Sequence, residues 1–260
     1  MRFDVLTLFP ELFQPFLFSG ITRRAYESRQ VDVRLWNPRD FADGNYRRVD
    51  DRPFGGGPGM VMMVEPLARC LAAVRAERDE PAEARAPVVW FSPIGRRLDH
   101  AGVAAKAADA RGAILVCGRY EGVDQRFIDT FVDEQLSLGD FVLSGGEIPA
   151  LALLDAVARL QPGVLNDAGS HQQDSFNPAL DGLLDCPHYT RPEVWDGPNG
   201  PQPVPDVLLS GHHAEIERHR RHERLSLTAR HRPDVLAAVR QAGGLKPADE
   251  AWLRHWASGS

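Results

Sequence analysis

The stretch ILVCGRYEGVDQRFIDTFVDEQLSLGDFVLSGGE (114–147) decides how the chain reads. An apolar run, Ile114 to Cys117, stops at Gly118 and gives way to Arg119, Tyr120, Glu121 and Gly122. A second extended run, Glu134 to Leu138, stops at Gly139 and Asp140. After Phe141-Val142-Leu143 come Ser144-Gly145-Gly146-Glu147 and a long apolar helical pattern over 147–160. Short β-like runs that break into glycines and polar groups are how α/β sheets build ligand sites at strand ends. Glycine lets the backbone come close to a ligand and offers bare N–H groups. Either turn alone reads as an ordinary strand-to-helix connection. Two so close together, each followed by a carboxylate, point to a pocket.

Upstream, residues 2–9 alternate loosely and end at Pro10, a buried strand and a turn. Residues 11–29 look helical with a break near Ser19-Gly20, and Val31 to Trp36 is a second strand. Asn37 to Gly59 reads as one long polar loop carrying Tyr46, Arg47, Arg48, Asp50, Asp51 and Arg52, and it closes with Pro53-Phe54-Gly55-Gly56-Gly57-Pro58-Gly59. That closing run matches neither a Walker phosphate loop nor a dinucleotide fingerprint. Glu65 to Arg78 is an amphipathic helix, Val88 to Phe91 a buried strand closed by Ser92-Pro93-Ile94-Gly95, and 99–109 an alanine-rich helix. Strands thus alternate with helices through residue 160, which predicts a parallel α/β sheet. Downstream, Gln161 to Pro187 is polar and aperiodic, carries Asp167, Asp174, Asp181 and Asp185, and reads as a connector or lid. A Pro/Gly-rich loop (192–205), a polar helix (211–230) and two short helices (near 233–242 and 247–256) predict an all-α second domain.

The 260 residues suffice for one large domain or two, and 43% hydrophobic with 25% charged residues is a soluble, globular composition. No apolar run approaches the ~18 residues of a membrane span. MRFDVLTLF lacks a signal-peptide layout and looks like a first strand. Cys70, Cys117 and Cys186 are scattered, with no CxxC or HExxH, so neither a disulfide framework nor a zinc site is expected and a reducing cytoplasm fits. The net charge of −6 argues against general nucleic-acid binding. Yet Arg218, Arg220, Arg221, Arg224, Arg230 and Arg232 crowd one segment. They read either as a phosphate-binding patch or as a solvated helix face, and charge alone favours the latter.

A specific resemblance rests on segments spread in order along the chain. These are TLFPELF (7–13), DDRPFGGGPGMVM (50–62), SP (92–93), CGRYEGVDQR (117–126), GDFVLSGGE (139–147), ARLQPGVL (158–165), DSF (174–176), LLDCPHYTRPEVW (183–195) and VPDVLLSGHHAEIERHRR (204–221). Together they resemble the bacterial tRNA (guanine-N1)-methyltransferases of the TrmD family, in the SPOUT superfamily. The resemblance implies an α/β SPOUT domain over 1–161 with a parallel sheet and a deep trefoil knot, a flexible linker or lid over 162–187, and a small helical, tRNA-binding domain over 188–260. Knots are nearly absent among folds, so pattern alone would not predict one. It also implies a cytoplasmic homodimer with shared active sites, S-adenosylmethionine bound in the knot, magnesium in the reaction, and methylation of guanosine 37 in tRNA with G at positions 36 and 37. Carried over, Trp90, Phe91, Ser92 and Pro93 line the adenosine side; Gly118, Tyr120 and Glu121 flank the ribose and methionine; Leu138, Gly139, Phe141, Leu143, Gly145 and Gly146 wrap the adenine. Trp90 and Phe141 stand where relatives often carry tyrosine, and 166–173 is a divergent version of the lid, with its closing Asp174 in place.

The chemistry asks for particular groups. A neutral guanine carries a proton on N1 and is a weak nucleophile there, so methyl transfer needs in-line approach and a base near N1. It also needs a cation or donor near O6, where negative charge develops. The resemblance makes Asp174 the base and Arg159 the O6 partner. A base on a lid can arrive after the target nucleotide, which must be splayed out of its loop. On this reading Arg220, Arg221 and Arg224 track phosphates. The loop bearing Arg47, Arg48, Arg52, Gly55, Gly56 and Gly57 does likewise. Three alternatives stay open: a SPOUT enzyme acting at another RNA position, a non-catalytic RNA-binding protein of the same fold, and a phosphate-binding enzyme using Gly55 to Gly59.

Overall fold

The computed structural model describes residues 1–166 and 170–259. The chain falls into two compact units, Met1–Asn166 and Asp167–Ser260. The first is built on five parallel strands in the order β2-β1-β6-β5-β7: β1 (Arg2–Leu6), β2 (Asp32–Trp36), β5 (Val88–Arg97), β6 (Ala113–Val116) and β7 (Glu134–Ser137). Two further short strands, β3 (Asp50–Asp51) and β4 (Val61–Met62), pair antiparallel outside that sheet. The expected loop from Asn37 to Gly59 therefore contains one strand of a small hairpin, and a 3-10 turn at Pro38–Phe41 capped by Asn37, whose Oδ1 accepts from the Arg39 N–H.

Helices α1 (Gln14–Leu17), α2 (Arg23–Glu27), α3 (Val64–Arg78), α4 (His100–Ala108), α5 (Gln125–Phe131) and α6 (Glu147–Arg159) cover the sheet. Strand period sorts the core between its faces. Phe3, Val5, Ala113 and Leu115 pack with the α6 residues Leu153, Leu154 and Val157. Leu6, Ile114 and Val116 pack with Leu67, Leu71 and Val74 of α3 and Phe127 of α5. Both faces being buried, β6 reads as a continuous apolar run instead of an alternating one. Asp4, fully buried in β1, is met by Arg78 and by Arg2 at 2.7 Å, and it accepts from the Trp36 indole N–H at 2.8 Å. A buried carboxylate persists only with such partners.

In β5 the ladder passes from Phe91 to Arg96 against the same Leu136. Ser92–Gly95 is thus a bulge thrown out of a strand that resumes afterwards, which re-aims side chains near a site.

The second unit holds 3-10 turns at Ser170–Gln173 and Pro178–Leu180, strands β8 (Val194–Gly197) and β9 (Gly200–Pro203), and helices α7 (Asp206–Leu209), α8 (His213–His231), α9 (Pro233–Gln241) and α10 (Pro247–Gly259). The antiparallel β8–β9 hairpin corrects the all-α expectation. Pro201 and Pro203 disguised it; in a two-stranded ribbon every strand is an edge and can carry proline. Leu183, Leu225, Leu236, Val239 and Leu253 form this unit's core. Asp167, one of the four connector carboxylates, lies outside the described residues.

Candidate active site

At the β5 bulge and the carboxyl ends of β6 and β7 the chain converges on a cavity of about 240 Å³. It is lined by every residue expected at a cofactor: Trp90 and Phe91 of β5 with Ser92 and Pro93 of its bulge, Gly118, Tyr120 and Glu121 after β6, and Leu138, Gly139, Phe141, Leu143, Gly145 and Gly146 after β7. Arg119, Gly122, Leu136, Ser137, Val142, Ser144 and Pro149 also line it. The resemblance does not single these out, although most lie inside the same motifs; position within the turn is the available signal.

The walls hold one another closely. The Gly146 N–H donates to the Gly118 carbonyl at 3.0 Å, and Arg119 and Gly145 form an isolated antiparallel bridge. A Cβ on Gly146 would fall 2.6 Å from the Cys117 Cα, so only glycine lets these segments touch. Tyr120 takes φ +61° at the cavity lip, a costly conformation for a bulky residue and one that marks functional turns. Burial pushes its phenol pKa up, and the Asp50 carboxylate adds to the rise. Burial, with Glu147 nearby, pushes the Cys117 thiol up as well, so this cysteine is not a nucleophile. The glycine-rich loop reaches the same lip: a Cβ on Gly59 would meet the Glu121 carboxylate at 2.3 Å, and the Glu121 N–H donates to the Met60 carbonyl at 2.9 Å. Gly55, Gly56 and Gly57 all have positive φ in an exposed loop, beside a fully exposed Phe54.

Beneath the wall, Glu147 is 1% exposed and accepts from the Thr7 hydroxyl at 2.9 Å. Its other oxygen lies 2.9 Å from Arg119 Nε. No sequence pattern links these three residues.

The cavity is apolar on its ring-shaped walls (Trp90, Phe91, Leu136, Phe141) and polar where backbone groups of three turns meet, as sites for nucleoside-like ligands are. The Trp90 indole N–H is buried there without a partner. Glycine-rich backbone at the cavity wall suits a ligand held by main-chain groups.

The expected catalytic pair is placed differently. Arg159 ends α6, whereas Pro149, near that helix's start, lines the cavity. Ten residues at ~1.5 Å each put them ~15 Å apart along the axis. Asp174 belongs to the second unit. It is half-buried after the Ser170–Gln173 turn, and its carbonyl accepts from the Asn177 N–H at 3.2 Å. Asn177 in turn donates to the His171 carbonyl at 2.8 Å, framing the segment.

The expected phosphate-binding arginines separate. Arg220 is 40% exposed and borders a cleft with Tyr189, Arg191 and Ile216. Arg221 is held by Asp181 at 2.7 Å and Asp249 at 2.8 Å. Arg224 is 7% exposed and faces Asp185 and Glu217. Among the described residues, no cluster of three or more His, Cys, Asp or Glu side chains could hold a metal ion, and no helix is long and apolar enough to cross a membrane.

Fold and cavity together define an α/β protein with a glycine-walled cavity beside the central strands of a parallel sheet. The family model described as tRNA (Guanine-1)-methyltransferase TrmD matches residues 1–238. The tRNA (guanine-N(1)-)-methyltransferase of Paracidovorax citrulli is 76% identical over 97% of both chains. Those of a Polaromonas species and of Albidiferax ferrireducens are 71% and 70% identical over 97% of this chain and 96% and 98% of their own. The chain belongs to the TrmD family of tRNA (guanine-N1)-methyltransferases.

Proposed function

We propose that this protein transfers the methyl group of S-adenosylmethionine to N1 of guanosine 37 in tRNA carrying G at positions 36 and 37. Family membership supports the reaction class. The single observation that supports the site is the convergence of the β5 bulge and the turns after β6 and β7 on one cavity. In this reading the three turns hold the adenosine and methionine portions mainly through backbone groups, and the knot lies over the same stretch. S-adenosylmethionine supplies an electrophilic methyl group, and the proton on N1 leaves as the methyl arrives.

The chain's own residues carry the rest. Asp174 takes the N1 proton, and Arg159 donates to O6 where charge accumulates. Arg159 stands ~15 Å along α6 from the cavity wall, beyond the reach of its side chain to a base beside that wall. The reading includes the homodimer, with each active site shared between subunits. The second unit grips the tRNA with Arg220, and in the first unit the exposed loop of Arg47, Arg48, Arg52 and Gly55 to Gly57 adds phosphate contacts. The reaction belongs in the cytoplasm and depends on magnesium.

The test is incubation with labelled S-adenosylmethionine and unmodified tRNA, with EDTA and magnesium arms, followed by mapping of the label. Label at N1 of guanosine 37 is expected. Label on another nucleotide or on a ribose 2′-hydroxyl would assign a different SPOUT specificity, and none at all would leave an RNA-binding protein.

A further inference from the structure

The buried ion pair under the cavity wall has no part in the chemistry above. Glu147 opens α6, anchored by Thr7 on one oxygen, while its other oxygen lies 2.9 Å from Arg119 Nε. Neither Arg119 Nε nor that oxygen has a hydrogen-bond partner, so the contact is one of charge and not an aimed hydrogen bond. Arg119 is fixed further by donation from Nη1 to the Ser144 carbonyl at 3.2 Å and by its stacking 4.4 Å over Phe9. A Cβ on Gly145 would fall 2.4 Å from Arg119 Nε and 2.6 Å from Glu147 Oε2. The pair is thus pressed against backbone that lines the cavity, and Arg119 lines it directly. Without Glu147 the wall would hold a half-buried, uncompensated cation.

We propose that Glu147 neutralises Arg119 so that the cavity can accept a cationic ligand, and that it thereby sets the preference between S-adenosylmethionine, a sulfonium, and S-adenosylhomocysteine, its neutral thioether product. The proposal rests on the cofactor reading of the cavity. The two ligands differ only in the methyl group and its positive charge. Damage to the shape of the site weakens both, whereas an exposed Arg119 charge weakens the sulfonium selectively.

The experiment is calorimetry of both ligands on the full-length protein, on Glu147→Gln, and on Glu147→Gln combined with Arg119→Met. Glu147→Gln keeps the acceptor for Thr7 and removes the charge. Its Kd for S-adenosylmethionine should rise about tenfold more than its Kd for S-adenosylhomocysteine, ~1.4 kcal/mol. Unit charges as far as ~12 Å apart interact by that much at an effective dielectric of ~20. The double variant should restore the wild-type ratio. Equal loss for both ligands, or a ratio that removal of Arg119 leaves displaced, overturns the proposal. If Glu147→Gln does not fold, Arg119→Met alone decides: it leaves a bare carboxylate, the ratio should move toward the sulfonium, and an unmoved ratio overturns the idea. A wild type that binds neither ligand refutes the cofactor reading itself, and this proposal with it.

Discussion

Replacing Gly146 with alanine adds one carbon where the fold has no room. The new Cβ would sit 2.6 Å from the Cys117 Cα and 3.2 Å from both the Cys117 Cβ and the Gly118 nitrogen. Cys117 cannot yield: it is buried beside the central strand β6 and its N–H donates to the Leu6 carbonyl at 2.9 Å. The segment 139–146 must retreat instead, by about 1 Å to reach ordinary carbon contact. That strains the 3.0 Å bond from the Gly146 N–H to the Gly118 carbonyl. Overpacking costs ~1–3 kcal/mol and a weakened hydrogen bond ~0.5–1.5. The expected loss is therefore ~2–4 kcal/mol, or a fall in Tm of roughly 2–4 °C for each of them. The retreating segment is also a cavity wall, so S-adenosylmethionine affinity should fall at least about tenfold, measured calorimetrically well below the Tm. Gly163→Ala is the control. Gly163 has φ +74° and nothing within 4 Å of a Cβ, so alanine there strains the backbone by ~1 kcal/mol without touching the cavity. It should lower Tm and leave affinity alone. Wild-type affinity in Gly146→Ala would refute the cradle argument, whatever its Tm.

Asp174→Asn should slow single-turnover methylation by ~10²–10⁴-fold with cofactor affinity unchanged, and a wild-type rate would send the search for the base elsewhere. Mixing Asp174→Asn with Arg159→Ala subunits should restore partial activity if the two residues serve one site from different chains, and none if they come from the same chain. Arg220→Ala should reduce the salt slope of tRNA binding by about one unit, while an unchanged slope would leave Arg220 as surface only. Arg221→Ala should instead destabilise the second unit, by ~1.5–3 kcal/mol in chemical denaturation, because its partners Asp181 and Asp249 lose their cation. His222 stacks on Trp252 at 4.0 Å, and burial, then the neighbouring Arg218, depresses its pKa below 6.5. The unfolded chain therefore takes up the proton first, so this contribution to stability is whole above pH 6.5 and is lost as pH falls through the folded value. His222→Phe, which keeps the stacking, should flatten that acid limb, and an unaltered limb would exonerate the histidine.

What the sequence revealed and what it hid divide by the range of the interactions. The first half of β5 and all of β6 announce themselves because burial on both faces leaves short apolar runs, Val88–Phe91 and Ala113–Val116, each followed closely by turn-forming residues. The order β2-β1-β6-β5-β7 is another matter, since alternation says that strands exist and not which are neighbours. β5 lies between β6 and β7, and the segment after β7 crosses it to meet the turn after β6, so the cavity was legible as three separate motifs and only the fold makes them one wall. Polar residues were misread for the same reason. Arg221 and Arg224 sit on a helix whose own pattern is nearly all polar, and local sequence gives them to solvent. Their carboxylates arrive from Asp181, Asp185 and Asp249, tens of residues away, and turn two of six surface charges into the unit's internal fastening. Thr7 and Glu147 are separated by 140 residues and meet at 2.9 Å. A carboxylate at a helix's first turn looks locally like a favourable response to the helix dipole. Its second role, facing Arg119 under the cavity wall, exists only because the segment after β7 packs on the turn after β6.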